Sequence, residues 1–153
     1  EPGRDFGREV LAARGRCEEN GGIVGCASNM RVYPWGNSAP VCDKTSVYSC
    51  GASYVFMTWA VGTGSTLGAG PYGHYDLSGN LREWVSDYWD SSFYSTASAT
   101  SANPKNTQSS SERGVRGGDF HMGVSDMRAG KRESYVASYD GGYWGFRCVT
   151  SYP

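Results

Sequence analysis

A chain of 153 residues with a net charge of −1 is long enough for one domain with its own core, and residues 1–153 read as a single unit. The near-neutral balance supplies no basic stripe for nucleic acid, and no apolar run approaches the roughly 20 residues of a membrane helix. Twenty-two glycines, eleven tyrosines and five tryptophans beside only 19% charged residues describe turns and aromatic packing rather than long helices.

Residues 4–14 carry the one helical pattern, with Phe6, Val10, Leu11 and Ala13 on one face, Asp5 near the start and Gly15 at the end. Residues 16–52 read as loops held by cysteines. Cys17 and Cys26 bracket one turn-rich loop and Cys42 and Cys50 another, and a disulfide would close each; buried free thiols are the other reading. The spacings fit neither zinc CxxC pairs nor a redox CxxC. Five cysteines in so small a chain point to an oxidising compartment, hence a secreted or cell-surface location, and leave Cys148 over. Between the cysteine loops, Val32-Tyr33-Pro34-Trp35 suits an irregular buried segment.

Tyr54 to Val61 is apolar and β-prone, a strand or extended core segment, and a glycine-rich loop follows over 62–73. The most informative stretch is 73–87, Gly-His-Tyr-Asp-Leu-Ser-Gly-Asn-Leu-Arg-Glu-Trp-Val-Ser-Asp. Asp76, Gly79, Asn80 and Glu83 gather oxygen donors and turn residues on a short loop that runs into the strand-like Trp84-Val85. Such a loop suits a hard cation such as Ca²⁺, which takes oxygens from carboxylates and carbonyls. It equally suits a tight turn whose Asp and Asn cap their own backbone, followed by an exposed Glu. Residues 91–112, rich in Ser, Thr, Ala and Asn, predict a mobile surface loop that buries little. Arg113 to Asp119 predicts a strand with a Gly-Gly kink, and Gly145 to Thr150 the closing strand.

The tract between those strands carries the candidate ligand-binding residues: Asp119, His121, Tyr135, Tyr139, Tyr143 and Trp144. Rigid aromatics among Ser and Gly give large contact area at low rotamer cost, as in a paratope. The alternative is that the tyrosines cover a small core. Arg128 and Arg132, four apart, are expected to pair carboxylates or backbone carbonyls beneath this surface. There is no GxSxG or P-loop motif, and His74 and His121 are the only histidines.

Four elements in order resemble the formylglycine-generating, sulfatase-modifying family: Arg31-Val-Tyr-Pro-Trp-Gly-Asn37, Tyr75-Asp-Leu-Ser-Gly-Asn-Leu-Arg-Glu-Trp84, Val115-Arg-Gly-Gly118 and Gly145-Phe-Arg-Cys148. Leu-Ala-Ala-Arg-Gly, ending at Gly15, resembles a remnant of the family's N-terminal helix. The resemblance implies a mixed α/β, loop-rich variant of the C-type lectin fold. It also implies a structural Ca²⁺ on Asp76, Glu83 and the carbonyls of Gly79 and Leu81; the family's other calcium site has no match here. The family's oxidase chemistry needs two copper-binding cysteines after the Arg-Gly-Gly element. Here Met122 takes the first place and the second falls near Met127, with no cysteine between Cys50 and Cys148. This argues against copper and against the oxidase reaction.

In the family, the cysteine matching Cys148 commonly pairs with one in a region that this chain lacks. The sequence is therefore expected to be the C-terminal two-thirds of a family domain, with an N-terminal fragment or partner chain reached through Cys148. Some proteins of this fold are variable proteins of diversity-generating retroelements, diversified between the elements matching Arg-Gly-Gly and Gly-Phe-Arg, a rule that Met122 and Trp144 do not follow. The function expected is a secreted, non-catalytic recognition module that binds a protein or glycan through the 119–144 surface. The alternatives are an oxidative or maturation enzyme of the family and a structural subunit of a surface assembly.

Overall fold

The computed structural model describes residues 31–41, 58–64, 68–96 and 105–148. The helix expected over 4–14 and the pairs Cys17/Cys26 and Cys42/Cys50 lie outside the described residues. Within them runs a four-stranded mixed sheet: β1 (Arg82–Tyr88), β2 (Glu112–Arg116), β3 (Glu133–Val136) and β4 (Trp144–Gly145), in the order β3-β2-β1-β4. β1 pairs antiparallel with β2 and parallel with β4, while β2 pairs antiparallel with β3.

β1, Arg-Glu-Trp-Val-Ser-Asp-Tyr, sits at the centre because alternate side chains serve opposite faces. Val85 and Asp87 are buried on one face, and Arg82 and Trp84 project to the other. β2 ends at Arg116, where Gly117 and Gly118 both have positive φ, +86° and +65°. A Cβ on Gly118 would lie 2.6 Å from Met127 Cε and 3.1 Å from the Asp126 carbonyl, so only glycine makes this bend. The expected strand with a Gly-Gly kink is present, and its strand part spans 112–116.

Tyr33, Pro34 and Met127 are buried and Tyr33 stacks on Trp35 with ring centroids 5.3 Å apart. Met127 packs on Tyr33, with Trp35, Met122 and Val124 around the pair. The Ala129 amide donates to Val32 at 2.8 Å and Ser78 Oγ to Met127 at 2.8 Å, pinning this corner to the loop before β1. Residues 32–35 are irregular as expected, but only Tyr33 and Pro34 are buried while Val32 is exposed, and Met122 and Met127 are packing side chains.

Three expectations are corrected. The end of the 54–61 segment that falls among the described residues is not a strand: 58–60 is irregular, 61–64 is a turn, and Val61 is 92% exposed. The 91–112 loop buries more than its composition predicts, because Phe93 in a 3₁₀ turn (Phe93–Ser95) and Asn106 both enter the interior. Asn106 exchanges hydrogen bonds with Tyr88 through both backbone and side chain, so this end of the loop is anchored. The closing strand is Trp144–Gly145, starting one residue earlier than expected, and 146–148 leaves the sheet. In the tract between β2 and this closing strand, where no strand was expected, β3 lies on the outer side of β2. Among the described residues no helix is long and apolar enough to cross a membrane.

Candidate functional site

The face of the sheet bearing Arg82 and Trp84 gathers all six candidate ligand-binding residues. Register places them: Arg82 pairs with Trp144 on β4, and Tyr135 on β3 lies across from Arg113 on β2. Trp144 stacks on Trp84 at 4.9 Å and meets Tyr135 and Tyr139 edge-on at 4.5 and 5.5 Å. Tyr135 and Tyr139 close this triad at 5.9 Å. Beside it, Phe120, His121 and Tyr143 form a second triad with centroids 4.1 to 5.7 Å apart.

One ion pair joins the two groups. Arg82 donates from Nε to Asp119 Oδ2 at 2.6 Å and from Nη1 to the Tyr135 hydroxyl. Its guanidinium lies 5.0 Å from the Tyr135 ring centroid and 5.1 Å from that of Trp144, within cation–π reach of both. Asp119 is fully enclosed, and its other oxygen accepts the His121 amide at 2.8 Å, fixing the loop that presents the histidine. The Arg82 amide donates to the Tyr143 carbonyl at 3.0 Å, holding the second triad from the other side. A buried charge is tolerated only when paired and hydrogen-bonded, and here both partners are.

The six residues therefore divide by role. Asp119 and Tyr135 hold the platform together, and Trp144 does so while keeping part of its surface open. Tyr139 at 51% exposure, Tyr143 at 38% and His121 form the outward contact surface. Sequence reasoning missed Arg82, Trp84 and Phe120. Arg82 looked like one residue of a turn motif, and its partners stand 37 and 53 positions away. Gly141 is part of the design: a Cβ there would come within 2.6 Å of the Tyr139 ring and 3.1 Å of Trp144 Nε1. Trp144 Nε1 is enclosed, with no hydrogen-bond acceptor among the described residues.

Charges at the border are mutually satisfied. Lys131 Nζ lies 3.1 Å from Asp126 and 3.6 Å from Glu133. Its hydrogen bond to Asp126 holds the amine above the ordinary lysine range. The two spaced arginines bind backbone carbonyls as expected, but Arg128 does so at an exposed position rather than beneath the surface. Arg128 donates to Ser125 at 2.8 Å, and Arg132 to Ser91 at 3.5 Å while lying over the rings of Trp89 and Tyr94.

The Asp76–Glu83 loop lies at the start of β1. Asp76 and Asn80 have positive φ, 55° and 65°, which these short polar side chains tolerate. Asp76 Oδ2 accepts the Gly62 amide at 2.6 Å, and the Asn80 side chain both accepts from and donates to the Trp59 backbone. These two residues hold the 58–64 segment. Glu83 is half-buried and bound through both oxygens by Arg147, which also donates to the Asp76 carbonyl at 2.9 Å and the Tyr75 carbonyl at 3.2 Å. Among the described residues no three His, Cys, Asp or Glu side chains converge as a metal cluster. The donor set of the resemblance, Asp76, Glu83 and the carbonyls of Gly79 and Leu81, is all oxygen and so fits Ca²⁺ chemically. Arg147 already brings a positive charge to Glu83 and the Asp76 carbonyl, and each Glu83 oxygen retains a further lone pair.

On the opposite face of the sheet a mainly apolar cavity of about 10 Å³ opens among Val85, Phe93, Tyr94 and Val115, with Asp87 and Arg116 at its wall. Burial pushes the Tyr94 hydroxyl up to about 12 despite the neighbouring arginines 116 and 132. Cys148 is exposed with a free thiol.

The sulfatase-modifying factor enzyme 1-like domain family matches residues 9–152. Among curated relatives, the serine/threonine-protein kinase pkn1 of Chlamydia caviae is 32% identical over 81 residues, 53% of this chain and 13% of that protein. The formylglycine-generating enzyme of Thermomonospora curvata is 27% identical over 130 residues, covering 76% of this chain and 42% of the enzyme. The solved structure of PvdO from Pseudomonas aeruginosa superposes with a TM-score of 0.63 at 21% identity, covering 91% of this chain and 48% of PvdO. The chain spans less than half the length of each of these proteins.

Proposed function

Because this chain belongs to the sulfatase-modifying factor enzyme 1-like family and has its loop-rich, mixed, C-type lectin-like fold, we propose that it is a non-catalytic recognition module. It binds a protein or glycan through the surface of residues 119–144. The observation that carries this reading is the division of labour around Arg82. An enclosed ion pair fixes two aromatic triads, and Tyr139 and Tyr143 keep large parts of their rings exposed. Preorganised aromatics bind well because little side-chain freedom is lost on contact.

Met122 and Met127 stand where the resemblance calls for catalytic cysteines, and Met127 is fully buried against Tyr33, which supports recognition over oxidation. Ca²⁺ belongs to the same proposal. Asp76 and Glu83, with the carbonyls of Gly79 and Leu81, would hold it, and it would stiffen the turn before β1 without touching the ligand. The five cysteines support a secreted or cell-surface setting, with disulfides within 17–26 and 42–50.

The test is a double variant, Tyr139→Ala with Tyr143→Ala, on protein and glycan arrays. These positions suit it better than Trp144, which stacks on Trp84 and lies within cation–π reach of Arg82. Loss of array retention with an unchanged melting temperature is expected. Full retention would place binding elsewhere.

A further inference from the structure

We propose that the ligand of this surface is a neutral carbohydrate, stacked on Tyr139 and hydrogen-bonded by Arg82 and Asp140; this rests on the recognition reading above and narrows it. Two of the three guanidinium nitrogens of Arg82 are engaged, Nε by Asp119 and Nη1 by the Tyr135 hydroxyl. Nη2 has no partner among the described residues, and it is not sealed off, since 12% of the side chain remains open. Its two N–H groups are donors without an acceptor inside the aromatic wall. Asp140 supplies the complementary group: it is exposed, adjoins Tyr139 and makes no hydrogen bond or ion pair among the described residues.

The site thus offers donors, a free carboxylate acceptor and aromatic faces together. Hydroxyl groups both donate and accept, and the C–H face of a sugar ring suits the negative face of an aromatic ring. Charge excludes an anion as the preferred ligand. Around the guanidinium, the cations Arg82 and Lys131 face three carboxylates, Asp119, Asp126 and Glu133, before Asp140 is added. Ring geometry disfavours a proline-rich peptide: Tyr135, Tyr139 and Trp144 touch one another, leaving outer faces but no slot between rings.

The probes are maltohexaose, cellohexaose and chitohexaose, with sialylated and sulfated oligosaccharides as charged comparators, measured by saturation-transfer NMR and calorimetry on the full chain. A neutral oligosaccharide is expected to bind and to transfer saturation from aromatic protons. Tyr139→Ala should abolish that binding. Asp140→Asn, an exposed change that leaves the ion pair untouched, should weaken it about tenfold, the loss of one hydrogen bond of roughly average worth. If no neutral oligosaccharide binds, or a charged one binds more tightly, the carbohydrate assignment falls. Retention on a protein array that is lost in Tyr139→Ala would overturn this inference while leaving the recognition reading intact; failure on both arrays would sink both.

Discussion

Arg82 reaches Asp119 at 2.6 Å across 37 positions of sequence, and that enclosed ion pair is the joint between two aromatic groups that otherwise belong to different strands and loops. Removing the charge of fully enclosed Asp119 leaves the largely buried Arg82 guanidinium without its close carboxylate. Asp119→Asn keeps the shape and deletes the charge, and is expected to cost about 3–5 kcal/mol. Urea denaturation gives the value directly. A loss below about 1 kcal/mol would mean that the pair is not what holds the platform.

The bend after β2 is a second point of no tolerance. Gly118→Ala places a methyl group 2.6 Å from Met127 Cε and 3.1 Å from a backbone carbonyl, at φ +65°. The methionine tip can move but the carbonyl cannot, so a cost of about 1–3 kcal/mol is expected. The same change at Gly142, where a Cβ meets nothing within 4 Å, should be nearly silent. Equal melting temperatures for the two variants would contradict the packing described.

If Ca²⁺ occupies the 76–83 loop, it binds the folded state alone and stabilises it by mass action. Calorimetry with and without chelator should then show a lower melting temperature in chelator, and Glu83→Gln should erase the difference. An unchanged melting temperature in the unsubstituted chain would remove the cation and leave Arg147 as the charge that closes the loop.

Alkaline stability follows from Tyr94. Its hydroxyl is pushed up to about 12 by burial, against an ordinary 10.0, so the folded state holds the proton more tightly than the unfolded one. Below pH 10 both states are protonated and the contribution is complete; it is lost as pH rises from 10 to 12. The ring is 40% exposed, so solvent screening reduces the effect to about 1 kcal/mol. Tyr94→Phe should flatten this part of the stability-against-pH curve, and an unaltered decline would assign it to other tyrosines.

What could be read from the sequence was local. The loop before β1, the strand Arg82–Tyr88 and the glycine bend after β2 follow from turn residues, alternation and φ preference within a few positions. The aromatic tract was legible in two ways, as a contact surface or as cover for a small core, and the rings divide between exposed Tyr139 and Tyr143 and the more enclosed Tyr135 and Trp144. β3 was not: Glu-Ser-Tyr-Val alternates correctly but is only four residues long and sits in a tract rich in Ser and Tyr, so β2 rather than propensity makes it a strand. Burial of Phe93 and Asn106 escaped composition because two side chains suffice to tether a polar loop. Arg82 escaped because a side chain's partners across a sheet leave no trace in its neighbours.

The bonds that close this architecture run between distant parts of the chain. Arg82 bonds to Tyr135 across 53 positions and Glu83 to Arg147 across 64. Closing such loops costs entropy before any contact is rewarded, so high contact order should make this a slow folder. A growing chain that has not yet released residue 147 holds β1 without its β4 neighbour and with the charges of Arg82 and Glu83 only partly matched. The central strand is therefore the first element to be specified and the last to be secured. Through that interval it presents an open edge to whatever strand lies near.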